Sequence, residues 1–259
     1  MTTTTEAPLL AERRGAVLVL TLNRPDVRNA IDRPLAEAIA AALDELDADP
    51  ALAVGVLAGA GKGFCAGMDL KAFAETGDRP WVGDRGFAGI VRRSAEKPLI
   101  AAVEGFAVGG GFEIVLACDL VVAARGARFG IPEAKRGLVA AGGALRRLPR
   151  RLPEPLAMEL ALTGELVVAE RLHELGAVNR LVEPGAALEQ ALELAGLVAA
   201  NGPLALRASK AVLQRQWSWT DEEFFERQAA IVDPVQQSED AREGARAFTE
   251  KRAPVWRAQ

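Results

Sequence analysis

VGGGFEIVLACD, residues Val108–Asp119, sets three consecutive glycines before a phenylalanine, a glutamate and an apolar run. Glycine is costly inside a regular element, so a triplet marks backbone that must approach another group closely. Glu113 then stands at the mouth of a segment with the composition of a protein core. A carboxylate so placed is either hydrogen-bonded and inert, or it has a chemical task.

Outward from this stretch, Pro98–Ala124 contains no lysine or arginine. Glu104, Glu113, Asp119 and the glycines divide it into pieces shorter than the roughly 20 residues that a membrane helix needs. It reads as buried strand, turn and buried helix. Upstream, GAVLVLTLNRP (Gly15–Pro25) predicts a strand, and Asp32 with Pro34 predicts the start of a helix that runs to Pro50. LAVGVLAGAGKG and PLIAAVEGFAVGGG are strands that close in glycines, and LVVAARGARFG supplies more. Continuous apolar strands alternating with helices mean parallel βα units covered on both faces, an α/β fold. From about Gly142 onward the chain reads as helical, with NRLVE the one strand.

Composition narrows the function. The 259 residues are half apolar and a quarter charged, with a net charge of −4. That balance suits a large soluble core and argues against a nucleic-acid binder, which needs a basic face. The two cysteines, Cys65 and Cys118, lack the spacing of a zinc site or a redox pair and read as buried free thiols. No secretory signal opens MTTTTEAP, and residues 1–7 read as a disordered tail. The expected compartment is the cytoplasm. His173 is the only histidine and lies among charges in a helix, tyrosine is absent, and no metal-ligand cluster or Ser–His–Asp system can be assembled. Carboxylates remain as the acid–base groups.

Two glycine-bearing turns follow strands, AGAGKGFCAGMDL (Ala58–Leu70) and GFAVGGGFE (Gly105–Glu113). The first is no phosphate-binding P-loop, because Gly63 follows Lys62 where serine or threonine is required. As a dinucleotide fingerprint it fits only loosely.

NRPDVRNAID, GKGFCAGMDLKAF, AAVEGFAVGGGFEIVLACD, ARFGIPEAKRGLVAAGG and the closing SEDAREGARAFTEKRAPVW resemble, in order and spacing, the signature blocks of the enoyl-CoA hydratase (crotonase) superfamily. The resemblance implies a crotonase-type β/α spiral core over residues 1–195. A C-terminal helical segment, 196–259, would build a homotrimer or a dimer of trimers. It implies an acyl-CoA thioester substrate and no separate cofactor, coenzyme A being part of the substrate. Nucleic acid and membrane are not expected as partners.

By the same resemblance, the amides of Met68 and Gly110 form an oxyanion hole, and Glu113 and Glu133 are the catalytic carboxylates of a hydratase. Taken alone, Glu113 reads sooner as a satisfied buried carboxylate, and Glu133 as a helix-start residue after Pro132; it is the two together, within matched blocks, that favour catalysis. Arg28 and Ala30, with Ala66, Asp69 and Leu70 opposite, would line the coenzyme A path. Lys71 would contact a phosphate or adenine, and Phe248 and Lys251 would reach a neighbouring subunit's coenzyme A. GMDLKAF, GGGFE, PEAKRGLV, RLP and SEDAREG also look like the carnitinyl-CoA dehydratase branch, for which Trp81 and Phe87 could frame a quaternary ammonium. An isomerase of the same fold and a non-catalytic acyl-CoA-binding scaffold are the other readings.

Overall fold

The computed structural model describes residues 7–259. Ala7 already accepts a hydrogen bond from Asn23 (3.1 Å), and the remainder of the expected disordered tail lies outside the described residues.

The order of elements is β1 (Leu9–Arg14), β2 (Val17–Leu22), α1 (Arg33–Ala48), β3 (Val54–Gly59), α2 (Leu70–Thr76), the short pair β4 (Trp81–Val82) and β5 (Gly86–Phe87), then β6 (Leu99–Val103), β7 (Phe106–Val108) and α3 (Gly110–Ala117). After these come β8 (Leu120–Ala124), β9 (Arg128–Gly130), α4 (Ala144–Arg151), α5 (Glu154–Thr163), β10 (Val167–Val168), α6 (Ala169–Glu174) and β11 (Arg180–Val182). Four helices close the chain: α7 (Ala187–Ala199), α8 (Pro203–Arg215), α9 (Asp221–Gln236) and α10 (Glu239–Glu250).

The main sheet has the order β1-β2-β3-β6-β8-β11, antiparallel only between β1 and β2. Its inner strands β2, β3, β6 and β8 are apolar on both faces because both faces are covered. Val17, Val19, Val54, Val56, Ile100 and Val122 meet Ala187, Ala191 and Ala195 of α7, whose four-residue spacing puts three small side chains on one stripe. The opposite residues, including Leu18, Leu20, Leu57 and Ala101, join the larger core with Leu35, Ile39 and Leu43 of α1. Asp32 caps α1 by accepting from the Leu35 amide (3.0 Å), as its sequence predicts.

Two apolar runs that read as single strands are each broken in two. Gly105 (φ +57°) separates β6 from β7, and Gly126 (φ +74°) separates β8 from β9. Both second halves leave the main sheet for a small one of order β10-β9-β7. β7 and β9 run parallel there, with Phe106, Ala107 and Val108 opposite Arg128, Phe129 and Gly130. This step from large sheet to small sheet, made twice, is the turn of the spiral.

Two further elements differ from the sequence reading. β1, LLAERR, is an edge strand exposed beyond Leu9 and carries no apolar signature. NRLVE is not the one strand after Gly142, because Val167–Val168 pairs with Phe129 and Arg128 once Gly164 has ended α5. The expected boundary at 195/196 falls inside α7. Beyond it, α8 is tied to the core by Lys210, which donates to Asp119 (2.6 Å) and to the Lys97 carbonyl (2.8 Å). Among the described residues, no helix is long and apolar enough to cross a membrane.

Candidate active site

The small sheet determines what meets at its end. The Cys65 backbone bridges in parallel to Ala107, and the Val108 amide donates to the Cys65 carbonyl (3.0 Å). The Gly109 amide donates to the Gly130 carbonyl (2.8 Å). Three parallel segments therefore deliver their carboxyl ends to one place: Ala66–Met68 from the first, Gly109–Glu113 from the second and Pro132–Glu133 from the third. The crevice beyond the carboxyl ends of parallel strands is where α/β proteins bind ligands. A cavity of about 380 Å³ lies there. Ala66, Met68, Leu70, Gly110, Glu113 and Glu133 all line it.

The glycine triplet now has a physical reason at each position. Gly109 takes a positive φ (+60°) as the N-cap of α3, and a Cβ there would come within 3.3 Å of Glu133 Oε1. A Cβ on Gly110 would lie 2.5 Å from the Phe87 ring, and one on Gly111 would run into the Cys65 carbonyl. Gly67, with φ +95°, is equally constrained: its Cβ would sit 2.9 Å from the Gly110 nitrogen. The two glycine turns are thus in contact through bare backbone. Among the described residues, neither the Met68 nor the Gly110 amide has a protein acceptor. Gly110 also opens α3, whose N-terminus adds partial positive charge.

α3 is buried all round, which places Glu113 of its first turn 4% exposed inside the protein. Its Oε1 accepts from the Ala144 amide (3.1 Å). A side chain on Gly142 would run into Oε2. Burial pushes the Glu113 carboxyl up to about 7, the Ala144 and Gly142 amides and Arg147 oppose this, and the charge of Glu133 adds to it. Glu133 sits in a 3-10 turn, Pro132–Arg136, rather than an α-helix start. Burial raises its pKa as well, while its own backbone amide and Arg136 lower it. Its Oε2 is buried and has no hydrogen-bond partner among the described residues. An unsatisfied buried carboxylate oxygen is costly unless it serves a ligand.

Residues 12–259 match the enoyl-CoA hydratase/isomerase family model. The chain belongs to the enoyl-CoA hydratase/isomerase family. It is 43% identical over 255 residues to a mevalonyl-coenzyme A hydratase of Beauveria bassiana, covering 93% of this chain and 91% of that one. To a carnitinyl-CoA dehydratase of Salmonella typhi it is 42% identical over 253 residues, covering 95% and 96%. The crystal structure of an enoyl-CoA hydratase from Mycobacterium marinum superposes with a TM-score of 0.96 at 53% identity, covering 98% of this chain and all of that one.

The other candidate residues of this family member divide into two groups. Arg28 and Ala30 run beside the first glycine turn, with the Ala66 amide donating to the Arg28 carbonyl (3.0 Å) and the Ile31 amide to the Gly67 carbonyl (2.8 Å). Asp69 follows, and its carboxylate is already engaged: it caps α2 through the Ala72 amide (3.1 Å) and pairs with Arg24 (3.1 Å). Burial opposes ionisation there, but these bonds prevail and hold Asp69 below the usual carboxylate range. Lys71 is exposed on α2. Phe248, 85% exposed, and Lys251, at the end of α10, do not line the cavity of their own chain.

Sequence reasoning missed the grip on Glu113. Gly142, Ala144 and Arg147 lie about thirty residues downstream, and only the GG of VAAGG hints at a backbone approaching something. Arg147 steadies that turn by donating to the Gly142 carbonyl (3.5 Å) and to the Val91 carbonyl (2.6 Å). Arg79, also on the cavity wall, lies outside every motif, and Arg136 lies within PEAKRGLV with no role signalled by the sequence. His173 is exposed on α6, with Nδ1 2.8 Å from the Val178 carbonyl oxygen. Both cysteines are buried free thiols whose pKa burial pushes up to about 12, which leaves them unreactive.

Proposed function

We propose that this chain is a hydro-lyase that adds water reversibly to a 2-enoyl-CoA thioester, giving a 3-hydroxyacyl-CoA. The observation that carries this reading is the pair Glu113 and Glu133 on one cavity wall, beside two main-chain amides with no acceptor among the described residues. Water addition to a conjugated thioester builds negative charge on the thioester oxygen. The Met68 and Gly110 amides are the donors for that charge, already oriented before the reaction begins. Ionised Glu113 takes a proton from water as the oxygen bonds to the β-carbon. Protonated Glu133 delivers a proton to the α-carbon as the enolate collapses. One water is consumed, and the proton gained by Glu113 balances the one lost by Glu133. Glu113, pushed up to about 7, has both forms accessible near neutrality, and burial shifts Glu133 in the same direction.

Coenzyme A would lie along Arg28–Ala30 and Ala66–Leu70. Asp69 would contribute backbone to that wall while its side chain holds α2 in place, and Lys71 would meet a phosphate. We assign Phe248 and Lys251 to a neighbouring subunit's coenzyme A, in a homotrimer or dimer of trimers. Exposed Met158, Leu162, Phe225 and Phe248 support an assembly of this kind.

The carnitinyl-CoA reading has one specific observation in its favour, since Trp81 and Phe87 both line the cavity. The cations there oppose it. Arg92 already covers the Trp81 ring at 4.7 Å, and Arg79 and Arg136 would repel a trimethylammonium group. We therefore favour an uncharged acyl chain. Loss of enoyl-thioester absorbance with crotonyl-CoA and a panel of longer and branched enoyl-CoAs tests the proposal. Tight acyl-CoA binding with no absorbance loss across the panel would leave a non-catalytic scaffold instead.

A further inference from the structure

A second cavity, of about 350 Å³, is lined by five arginines: Arg92, Arg146, Arg147, Arg150 and Arg151. Four of them come from α4, ALRRLPRR, where the spacing stacks Arg146 over Arg150 and Arg147 over Arg151. Like charges four apart weaken a helix. The chain has fewer basic than acidic residues, 31 against 35, so this concentration does not follow from composition.

Each inner guanidinium is fixed in place but keeps free donors. Arg147 donates to the Val91 carbonyl (2.6 Å) and Arg151 to the Cys118 carbonyl (2.6 Å). Arg92 lies over Trp81, and Arg150 over Trp217 at 5.1 Å. Among the described residues none of the five is ion-paired with a carboxylate. The nearby Asp119 is taken by Lys210 (2.6 Å) and Gln214 (3.0 Å). Ser94, on the same wall, has a buried hydroxyl oxygen with no partner among the described residues. Burial and mutual repulsion hold Arg147 below the ordinary arginine value.

We infer that this cavity is a binding site for a small oligophosphate anion, separate from the acyl-CoA cavity. Planar guanidinium forks match phosphate oxygens bidentately, and a bound anion relieves the repulsion that α4 otherwise carries. The Ser94 hydroxyl supplies a neutral donor to the same ligand. The site sits directly behind the active centre, because Arg147 lines it and also holds the turn that grips Glu113. Its occupancy does not depend on the hydratase reading.

Isothermal titration of the full chain with inorganic pyrophosphate, at low ionic strength and with acetyl-CoA saturating the acyl-CoA cavity, tests this. The expected result is saturable binding of one anion per chain. The Arg146→Gln/Arg150→Gln double variant should bind at least about tenfold more weakly, with crotonyl-CoA turnover unchanged. The corresponding Lys double variant should recover part of the affinity, which separates lost charge from lost folding. ADP binding no tighter than pyrophosphate assigns recognition to the phosphates alone, and tighter binding assigns a nucleotide. No saturable binding, displacement by acetyl-CoA, or undiminished affinity in the double variant overturns the proposal. A fall in oligomeric mass in that variant also overturns it, by giving the arginines to a second copy of the chain.

Discussion

The Ala144 amide donates to Glu113 Oε1 across 3.1 Å, and no side chain at Gly142 could fit beside Oε2. The turn before α4 thus clamps one carboxylate from two sides, and its position depends on a residue with no side chain. Gly142→Ala should displace the carboxylate, because the added Cβ would run into Oε2. We expect kcat for crotonyl-CoA to fall about a hundredfold, with KM little changed. Steady-state kinetics beside a circular-dichroism spectrum checks this, since a variant that merely unfolds would lose the spectrum too.

The pH profile follows from the raised carboxyl of Glu113. Ionised Glu113 is the base, so activity should fall as pH drops below about 7. Glu133 must be protonated in the same direction of reaction, so activity should also be lost as rising pH ionises that carboxyl. The two groups interact, so both limbs belong to the pair. A profile of log kcat/KM that stays flat down to pH 5 would remove Glu113 as the base.

The same shift has a consequence for stability. Folding raises the proton affinity of Glu113 above its ordinary 4.5, so the folded state binds more protons between pH 4.5 and about 7. The penalty is absent below pH 4.5, grows through that window and is complete above it. At about 1.4 kcal/mol per unit, Glu113→Gln should stabilise the protein by about 3 kcal/mol at pH 8 and by almost nothing at pH 4.5. Urea unfolding at the two pH values measures the difference.

Charge on the cavity wall predicts selectivity. With Arg79 and Arg136 on the wall and Arg92 covering Trp81, crotonobetainyl-CoA should show a kcat/KM at least about tenfold below that of crotonyl-CoA. Competition between the two thioesters in one reaction gives the ratio directly. An excess in favour of crotonobetainyl-CoA would return the carnitinyl reading to first place.

What the sequence disclosed follows from how local each feature is. The strands at Val17–Leu22, Val54–Gly59, Leu99–Val103 and Leu120–Ala124 are legible because burial on both faces leaves an unbroken apolar run. β7 and β9 hide inside the tails of two such runs, and only Gly105 and Gly126 mark the turns into the second sheet. β1 is hidden for the opposite reason, since an exposed edge strand can be as polar as a loop. The glycine triplet and Glu113 announce a close approach, yet the approaching groups, Phe87, Cys65 and Gly142, are set by tertiary packing. Asp69 shows the limit of a motif. It occupies the expected place, but its carboxylate serves Ala72 and Arg24.

The central claim is that two carboxyls move protons beside an enolate held by main-chain amides. Incubation of crotonyl-CoA in D2O with the wild type, Glu113→Gln and Glu133→Gln tests it most directly, followed by mass and NMR analysis of the thioester products. The account predicts 3-hydroxybutyryl-CoA carrying one deuterium at the α-carbon from the wild type. Both variants should be slower by roughly a hundredfold or more while binding acyl-CoA with nearly unchanged affinity. A wild type that binds crotonyl-CoA but forms no deuterated product, or a Glu113→Gln variant that turns over at the wild-type rate, would contradict it.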